Sequence, residues 1–253
     1  MSEMSFPIMF LIGFFAEYID GALGMAYGVT AGSFLIAIGI MPAVASASIH
    51  FAEIFTTFFA GVSHIKLGNF RKDIALPMII PGMVGGAMGA YLLSSIPGET
   101  TRPVIALLLL GMGAIVFLRF AFKKQMVFRD EPVSKWWLVP LGFVAAFCDA
   151  CAGGGWGPIA TPTLLLSNKS VPRKVVGSVD TSEFFVTLAI AVTFMITLGL
   201  ERFRWDWVVA LLLGGVLAAP IAAYTCKRVP GRLLGVLVGV ILILTNARTL
   251  LLL

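Results

Sequence analysis

One interrupted apolar segment occurs twice in this chain. Residues 13–28 read GFFAEYIDGALGMAYG and residues 142–157 read GFVAAFCDACAGGGWG, with six of sixteen positions identical. Each copy places an aspartate, Asp20 or Asp149, and a cluster of glycines within a long apolar run. Interrupted apolar segments at corresponding places in two halves are typical of membrane transporters, whose binding sites lie where the halves meet. The pattern therefore predicts two repeats around a shared site.

The composition places this chain in a lipid bilayer. Hydrophobic residues make up 59% of it and charged residues 12%, and the mean hydropathy is +0.99. A soluble domain of this size could not cover so much apolar surface. We interpret the net charge of +5 as loop charge that faces anionic lipid and the cytoplasm, not as a nucleic-acid-binding surface. The first apolar segment lacks a basic start and a small-residue cleavage site, so we expect it to be retained.

Apolar runs divide each half into one long broken segment and three ordinary helices. A membrane-spanning helix needs roughly 20 residues. The first and fifth runs exceed thirty residues and are broken by glycine, which leaves pieces of roughly 14–16 residues, or about 21–24 Å. Such pieces pass the midplane without comfortably crossing the membrane. The runs lie at about 7–39, 42–63, 74–96, 103–122, 136–166, 175–199, 207–226 and 233–253.

The distribution of basic residues predicts that the repeats are inverted. If each broken segment returns to the side that it enters, or crosses twice, 14 of the 18 Lys and Arg residues lie on one side of the membrane. If each broken segment is a single kinked span, 11 of these residues lie on one side and 7 on the other. Positive residues concentrate in cytoplasmic loops, which favours the first arrangement. We therefore predict an all-α integral membrane protein with both termini on the non-cytoplasmic side. The predicted units are a first transmembrane repeat at 1–122, a cytoplasmic linker at 123–135 and a second transmembrane repeat at 136–253.

The two glycine clusters predict an anion-binding site. Glycine lets a chain turn and lets a ligand approach backbone N–H groups. Each break would begin a second half-helix, whose free amides and positive dipole end attract an anion without Lys or Arg. The alternative is that small residues only permit close helix packing. The candidate substrate-binding residues at the breaks are Gly24, Tyr27, Gly28, Gly153, Gly154, Gly155, Trp156 and Gly157.

Six carboxyl groups lie within the apolar runs. Each costs ~2.5–3.5 kcal/mol on membrane-insertion scales, so six without a purpose are implausible. We predict that Asp20, Glu53, Asp149 and Glu183 carry coupling protons or relay a cation, and that His50 and Asp180 orient the substrate; Glu17 has less support because its counterpart is Ala146. The alternative role is polar contact between helices. Either several acids are protonated, or a cation accompanies the substrate.

The cysteines give weaker signals. Cys148 and Cys151 could pair or bind a soft metal, whereas Cys226 stands apart. We expect no metal site, no cofactor and no catalytic residue, because the sequence carries no nucleotide-binding, hydrolase or zinc-protease motif. A thiol oxidoreductase acting through Cys148 and Cys151 remains a rival hypothesis, and so does a purely structural membrane protein.

At the residues quoted above, the chain resembles the TauE/SafE sulfite exporter family over nearly its whole length. The resemblance rests on the duplicated four-segment unit, the breaks at 20–28 and 149–157, and the matching Glu53 and Glu183 helices. It implies a multi-pass plasma-membrane transporter of a small sulfur-containing anion such as sulfite or a sulfonate. A proton or sodium ion could be coupled, and a homodimer is left open. The runner-up is a cation or metal-ion transporter that uses the buried carboxylates.

Overall fold

A computed structural model of the protein describes residues 6–23, 25–122, 131–167, 169–225 and 231–252. Regular structure in these ranges is helical, as predicted. A short 3₁₀ turn also occupies Leu200–Arg202. The helices are α1 (Phe6–Leu23), α2 (Tyr27–Ala37), α3 (Pro42–Lys66), α4 (Lys72–Ser95), α5 (Gly98–Ala121), α6 (Lys135–Ala152), α7 (Trp156–Leu166), α8 (Pro172–Leu198), α9 (Trp205–Thr225) and α10 (Gly231–Leu251).

Five of the described helices are long and apolar enough to span a membrane. They are α3, α4, α5, α6 and most of α8, Arg173–Leu198. Shorter apolar stretches lie in α2, α9 and α10. The protein is therefore a multi-pass, all-helical membrane protein.

Both predicted breaks are present, but their arms are unequal. In each half an 18-residue helix, α1 or α6, is followed by an 11-residue helix, α2 or α7. The longer arm extends about 27 Å and the shorter about 16 Å, whereas the sequence predicted arms of similar length. Gly153 ends α6 with a φ of 73°, a conformation that glycine adopts without strain. In the first half Ala26, a residue with a Cβ, has a φ of 105° just before α2.

Three of the basic loops meet at one end of the bundle. The N–H of Glu131, before α6, donates to the carbonyl of Lys169, after α7, at 3.0 Å. The guanidinium of Arg71, between α3 and α4, donates to the carbonyls of Lys169 at 3.1 Å and Glu131 at 2.9 Å. The α6–α7 segment thus returns to the end of the bundle that it enters. Loop charge predicts the same grouping, and the side of the membrane that these loops face stays a prediction.

The helices pair in a pattern that is unchanged when the two halves are exchanged. α1 packs on α9, and its counterpart α6 packs on α4. Glycines allow the close approach: a Cβ on Gly13 would overlap the backbone of Leu211, and a Cβ on Gly85 would overlap the backbone of Phe143. Large contacts also join α3 to α8 and α5 to α10, and each of these two pairs consists of a helix and its counterpart. A further large contact joins α4 to α8, and its counterpart is the smaller contact of α9 with α3.

The counterpart helices run in opposite directions where they touch. In α3 and α8, the ring of Phe58 lies 5.5 Å from that of Phe184, and the ring of His50 lies 6.4 Å from that of Phe194. Residues later in α8 therefore contact residues earlier in α3, so the two helices are antiparallel. These two central helices carry most of the polar residues considered below.

Candidate functional site

A small cavity lies where α1, α2, α3 and α8 meet. Its volume is about 10 Å³, close to the space that one water molecule needs. Five of its lining residues carry carboxyl groups and three carry hydroxyl groups. We call it the acid cavity; it is lined by Glu17, Asp20, Tyr27, Glu53, Thr56, Thr57, Ala60, Asp180 and Glu183.

Two polar atoms of the acid cavity are buried without a hydrogen-bond partner among the described residues. They are the hydroxyl oxygen of Tyr27 and Oε2 of Glu53, in side chains of residues that are 3% and 4% exposed. The described lining includes no lysine or arginine. A buried polar group without a partner is costly, so such atoms mark a place where a proton, a water molecule or a ligand is needed.

The two break aspartates accept hydrogen bonds from the backbone amides at the start of the second half-helices. Oδ1 of Asp20 accepts from the N–H of Tyr27 at 3.2 Å. Oδ1 of Asp149 accepts from the N–H of Gly155 at 2.6 Å. Carboxyl oxygens thus bind the backbone amides that the sequence predicts will bind a substrate anion. These N–H groups have no partner within the helix, and the positive end of the helix dipole favours a negative group beside them.

His50 connects α3 to the break of the second half. Its Nδ1 lies 2.8 Å from the carbonyl oxygen of Ser46, which can only accept, so Nδ1 carries a proton. Its Nε2 lies 3.2 Å from Oδ2 of Asp149 and 4.0 Å from Oε2 of Glu53. The hydrogen bond between His50 and Asp149 requires one proton, which resides on either the imidazole or the carboxyl group. The pair is fully buried.

A second histidine contacts the acid cavity from the end of α3. Nε2 of His64 lies 3.1 Å from Oδ2 of Asp180, and the side chain of His64 is 21% exposed, against 5% for Asp180. Nδ1 of His64 lies 3.5 Å from Nδ2 of Asn69. No motif in the sequence singles out His64. A signal was present: Glu53, Thr57 and His64 follow the spacing that places residues on one face of a helix.

The two breaks touch each other through their glycines. A Cβ on Gly28 would overlap the carbonyl oxygen of Gly153, and a Cβ on Gly154 would overlap the backbone N of Val29. A Cβ on Gly155 would lie 2.7 Å from the backbone N of Asp149. Close packing, the alternative interpretation of these glycines, therefore applies at all three positions. Gly157 is buried beside them, and Gly24 lies outside the described residues.

Tyr27 and Trp156 occupy matching places but have different surroundings. Tyr27 lines the acid cavity. Trp156 is fully buried, and its Nε1 donates to the carbonyl of Val179 at 3.1 Å. The indole therefore fixes α7 against α8, while the phenol faces the acids. Glu17, which had the least support from the sequence, lies in the cavity lining together with Thr56 and Ala60, which the sequence did not single out.

The described cysteines lie apart from the acid cavity. Both Cys148 and Cys151 are free thiols, and Sγ of Cys151 lies 3.7 Å from the carbonyl of Gly89. Cys226 lies outside the described residues. Within the described part of the chain, no group of three or more His, Cys, Asp and Glu residues is arranged to hold a metal ion.

Comparison with known proteins identifies the family. The profile of the family described as "Sulfite exporter TauE/SafE" matches residues 9–249. The chain is 50% identical over 241 residues to "Probable membrane transporter protein YtnM" of Bacillus subtilis (strain 168), covering 94% of this chain and 80% of that protein. It is 27% identical over 166 residues to "Probable membrane transporter protein ORF9" of Sinorhizobium sp, covering 62% and 60%. No solved structure matches significantly. The chain therefore belongs to the sulfite exporter TauE/SafE family of membrane transporters.

Proposed function

We propose that this protein is a secondary transporter of a small sulfur-containing anion, such as sulfite, a sulfonate or a related oxyanion. It works by alternating access, with substrate bound between two inverted repeats near the membrane midplane. Family membership supports the substrate class. The antiparallel packing of α3 on α8 supports the inversion, because helices related by an axis in the membrane plane run in opposite directions.

One observation carries the mechanism: an aspartate already occupies an amide at the start of each short arm. An ionised carboxylate on the N–H of Tyr27 or Gly155 takes the place of an oxygen of the substrate anion. Protonation of Asp20 or Asp149 weakens that hydrogen bond and removes the negative charge. The amide then becomes free for the substrate. Proton binding and anion binding thus favour each other, which couples the two fluxes.

The remaining polar residues complete this scheme. His50 exchanges the shared proton with Asp149 at 3.2 Å, and so sets when the Gly155 amide is released. Glu53, Glu183 and Asp180 take up or pass on protons within the acid cavity. A cavity of about 10 Å³ has no room for an oxyanion, so the site must widen before the substrate binds. Rocking of one half against the other opens the site to either side.

Binding by purified protein, measured by thermal shift, tests the proposal. The panel is sulfite, sulfate, thiosulfate, taurine and sulfoacetate, with chloride controls, at several pH values. Methanesulfonate is included because its charge does not change over this range. We expect one sulfur anion to stabilise the protein, and more strongly at lower pH because protonated aspartates release the amides.

Asp149→Asn is the decisive variant, since it removes the charge while keeping the shape of the side chain. We expect anion binding to Asp149→Asn to lose most of its dependence on pH. Binding that keeps its full pH dependence in both Asp149→Asn and Asp20→Asn would contradict the proposed coupling. Bulky changes at Gly154 are a poor test, because they disrupt packing against Gly28 whatever the function.

The lining of the acid cavity favours a second candidate, a cation transporter. Five carboxyl groups without a lysine or arginine in the described lining suit a cation better than an anion. This function predicts stabilisation by sodium or nickel salts that Glu183→Gln removes, with no dependence on the anion. The same thermal-shift panel, extended to these cations, separates the two candidates.

A further inference from the structure

We propose that His64 is the residue through which the acid cavity exchanges protons with water, and that Phe194 closes the equivalent route at the other end. This inference rests on the proton coupling in the proposed function. It adds the path and the side from which protons arrive. Nothing in the sequence analysis assigned either residue a role.

His64 connects the cavity to the surface. Its Nε2 lies 3.1 Å from Oδ2 of Asp180, and Asp180 lines the cavity. The imidazole is 21% exposed while the Asp180 side chain is 5% exposed, so the pair spans from a water-accessible position to a buried one. His64 lies in the last turn of α3, directly before the basic loop between α3 and α4. Histidine is the side chain best suited to pass protons near neutral pH.

The cavity needs such a connection. The hydroxyl of Tyr27 and Oε2 of Glu53 are buried without hydrogen-bond partners among the described residues, and both residues line the cavity. A proton added to one of these carboxyl groups makes it a donor, and it can then form a hydrogen bond with a neighbouring oxygen that lacks a partner. A proton is therefore a ligand that this compartment fits.

The hydrogen bonds of His64 give the transfer a direction. Nδ2 of Asn69 is a donor and lies 3.5 Å from Nδ1, so Nδ1 accepts and the proton of the neutral ring is on Nε2. When water displaces the Asn69 amide from Nδ1, a proton from water binds Nδ1, and the proton on Nε2 moves to Oδ2 of Asp180. The ring is left neutral with its proton on Nδ1, and it returns to its first form by exchange with water. One proton leaves water and one carboxyl group gains it.

The matching place in the second half carries a phenylalanine. The shift that places Glu53 on Glu183 places His64 on Phe194 and His50 on Asp180. The contact of His64 with Asp180 therefore corresponds to the contact of Phe194 with His50, whose ring centroids are 6.4 Å apart. Phe194 is fully buried and cannot carry a proton. Protons thus reach the acids from the end of the bundle where the basic loops meet.

Other titratable groups face this route from the surrounding helices. Among the described residues, none of these other groups is a partly exposed histidine in contact with an acid of the cavity. They are Glu17 and Asp20 on α1, Tyr27 on α2, His50 and Glu53 on α3, Asp149 on α6 and Glu183 on α8.

The test measures how fast buried carboxylic acids exchange protons with solvent. Infrared spectra of ligand-free protein in vesicles are recorded after a switch from H₂O to D₂O, which shifts the carboxylic C=O band. We expect His64→Ala and His64→Phe to slow the shift by about a hundredfold. Free imidazole should restore the rate in His64→Ala, whereas it should not in His64→Phe, where the ring fills the space. Ser63→Ala, at the neighbouring exposed position, is the matched control.

A second arm separates this inference from the proposed transport. Exchange of labelled for unlabelled sulfite across the vesicle membrane needs no net proton movement, whereas net sulfite flux driven by a pH gradient does. We expect His64→Ala to retain exchange and to lose most net flux, again with rescue by imidazole. A normal infrared rate in both His64 variants, or a loss in His64→Ala that imidazole does not restore, would overturn the role of His64. Wild-type protein that exchanges no sulfur anion contradicts the proposed function alone, because the infrared result still decides this inference.

Discussion

Nε2 of His50 lies 3.2 Å from Oδ2 of Asp149, although 99 residues separate them in the chain. This contact joins the central helix of one half to the break of the other. Because Asp149 also accepts the Gly155 amide at 2.6 Å, a proton on the pair is linked directly to the start of α7. These three residues bring a candidate proton site and a candidate anion site together.

We expect His50 and Asp149 to stabilise the fold as a unit. Removing either partner leaves the other buried and unsatisfied, so His50→Ala and Asp149→Ala should each destabilise the protein, and the double variant should lose little more than either single variant. The coupling energy should be about 1.5–3 kcal/mol, as for hydrogen bonds to charged groups. A double-mutant cycle on unfolding in detergent measures it. Additive effects would mean that the contact contributes nothing.

Contact between the two breaks should make Gly28 and Gly154 intolerant of even a methyl group. Gly28→Ala and Gly154→Ala force backbone apart, and we expect each to cost about 1–3 kcal/mol. Gly111→Ala is the control, because it is helical and has nothing within 4 Å of the added Cβ. It should stabilise the protein by about 1 kcal/mol through helix propensity. Thermal unfolding in detergent ranks the three variants by stability. Equal effects at the three glycines would contradict the prediction.

The left-handed conformation of Ala26 predicts a stabilising substitution in the first break. At a φ of 105° the Cβ of an L-residue is strained, and glycine removes that strain. We expect Ala26→Gly to raise the unfolding free energy by about 1 kcal/mol. Ala43→Gly, in the ordinary helix α3, should lower it by a similar amount. A loss of stability in both variants would show that Ala26 is not strained.

Tyr27→Phe and Trp156→Phe should separate a functional role from a structural one. The Tyr27 hydroxyl has no hydrogen-bond partner among the described residues, and an unpaired buried hydroxyl is costly. Its removal should therefore maintain or slightly raise stability while slowing proton-coupled transport. Trp156→Phe removes the buried hydrogen bond to the Val179 carbonyl and replaces a fully buried indole by a smaller ring, which should cost about 1–3 kcal/mol. Unfolding midpoints and pH-driven flux are measured side by side. A large stability loss in Tyr27→Phe would assign the phenol a structural role.

The grouping of basic loops predicts which positions face the cytoplasm. In a background without cysteine, Lys66→Cys and Ser134→Cys should resist a membrane-impermeant thiol reagent in intact cells, and react in inverted vesicles. Glu99→Cys, in the first turn of α5, and Glu201→Cys, in the turn after α8, lie at the helix ends away from the basic loops. They should react in intact cells and resist the reagent in inverted vesicles. The positive-inside rule is the physical reason. Labelling of all four positions from one side would contradict the predicted topology.

The sequence determined the features that depend on local composition. The apolar content requires a membrane. Backbone N–H and C=O groups inside a bilayer must be hydrogen-bonded within the chain, so the chain forms helices. The glycine clusters placed both breaks. Loop charge predicted the basic loops that meet around Arg71.

Only the tertiary structure decided what these residues contact. The sequence treats the break amides as free, whereas Asp20 and Asp149 fold back onto them. It treats Tyr27 and Trp156 as equals, whereas one faces the acid cavity and the other fixes α7 on α8. Pairings such as His64 with Asp180 depend on how α3 packs against α8, which a short periodic pattern does not encode. Local propensity sets where helices start and stop, but contacts between distant residues form only when whole helices pack.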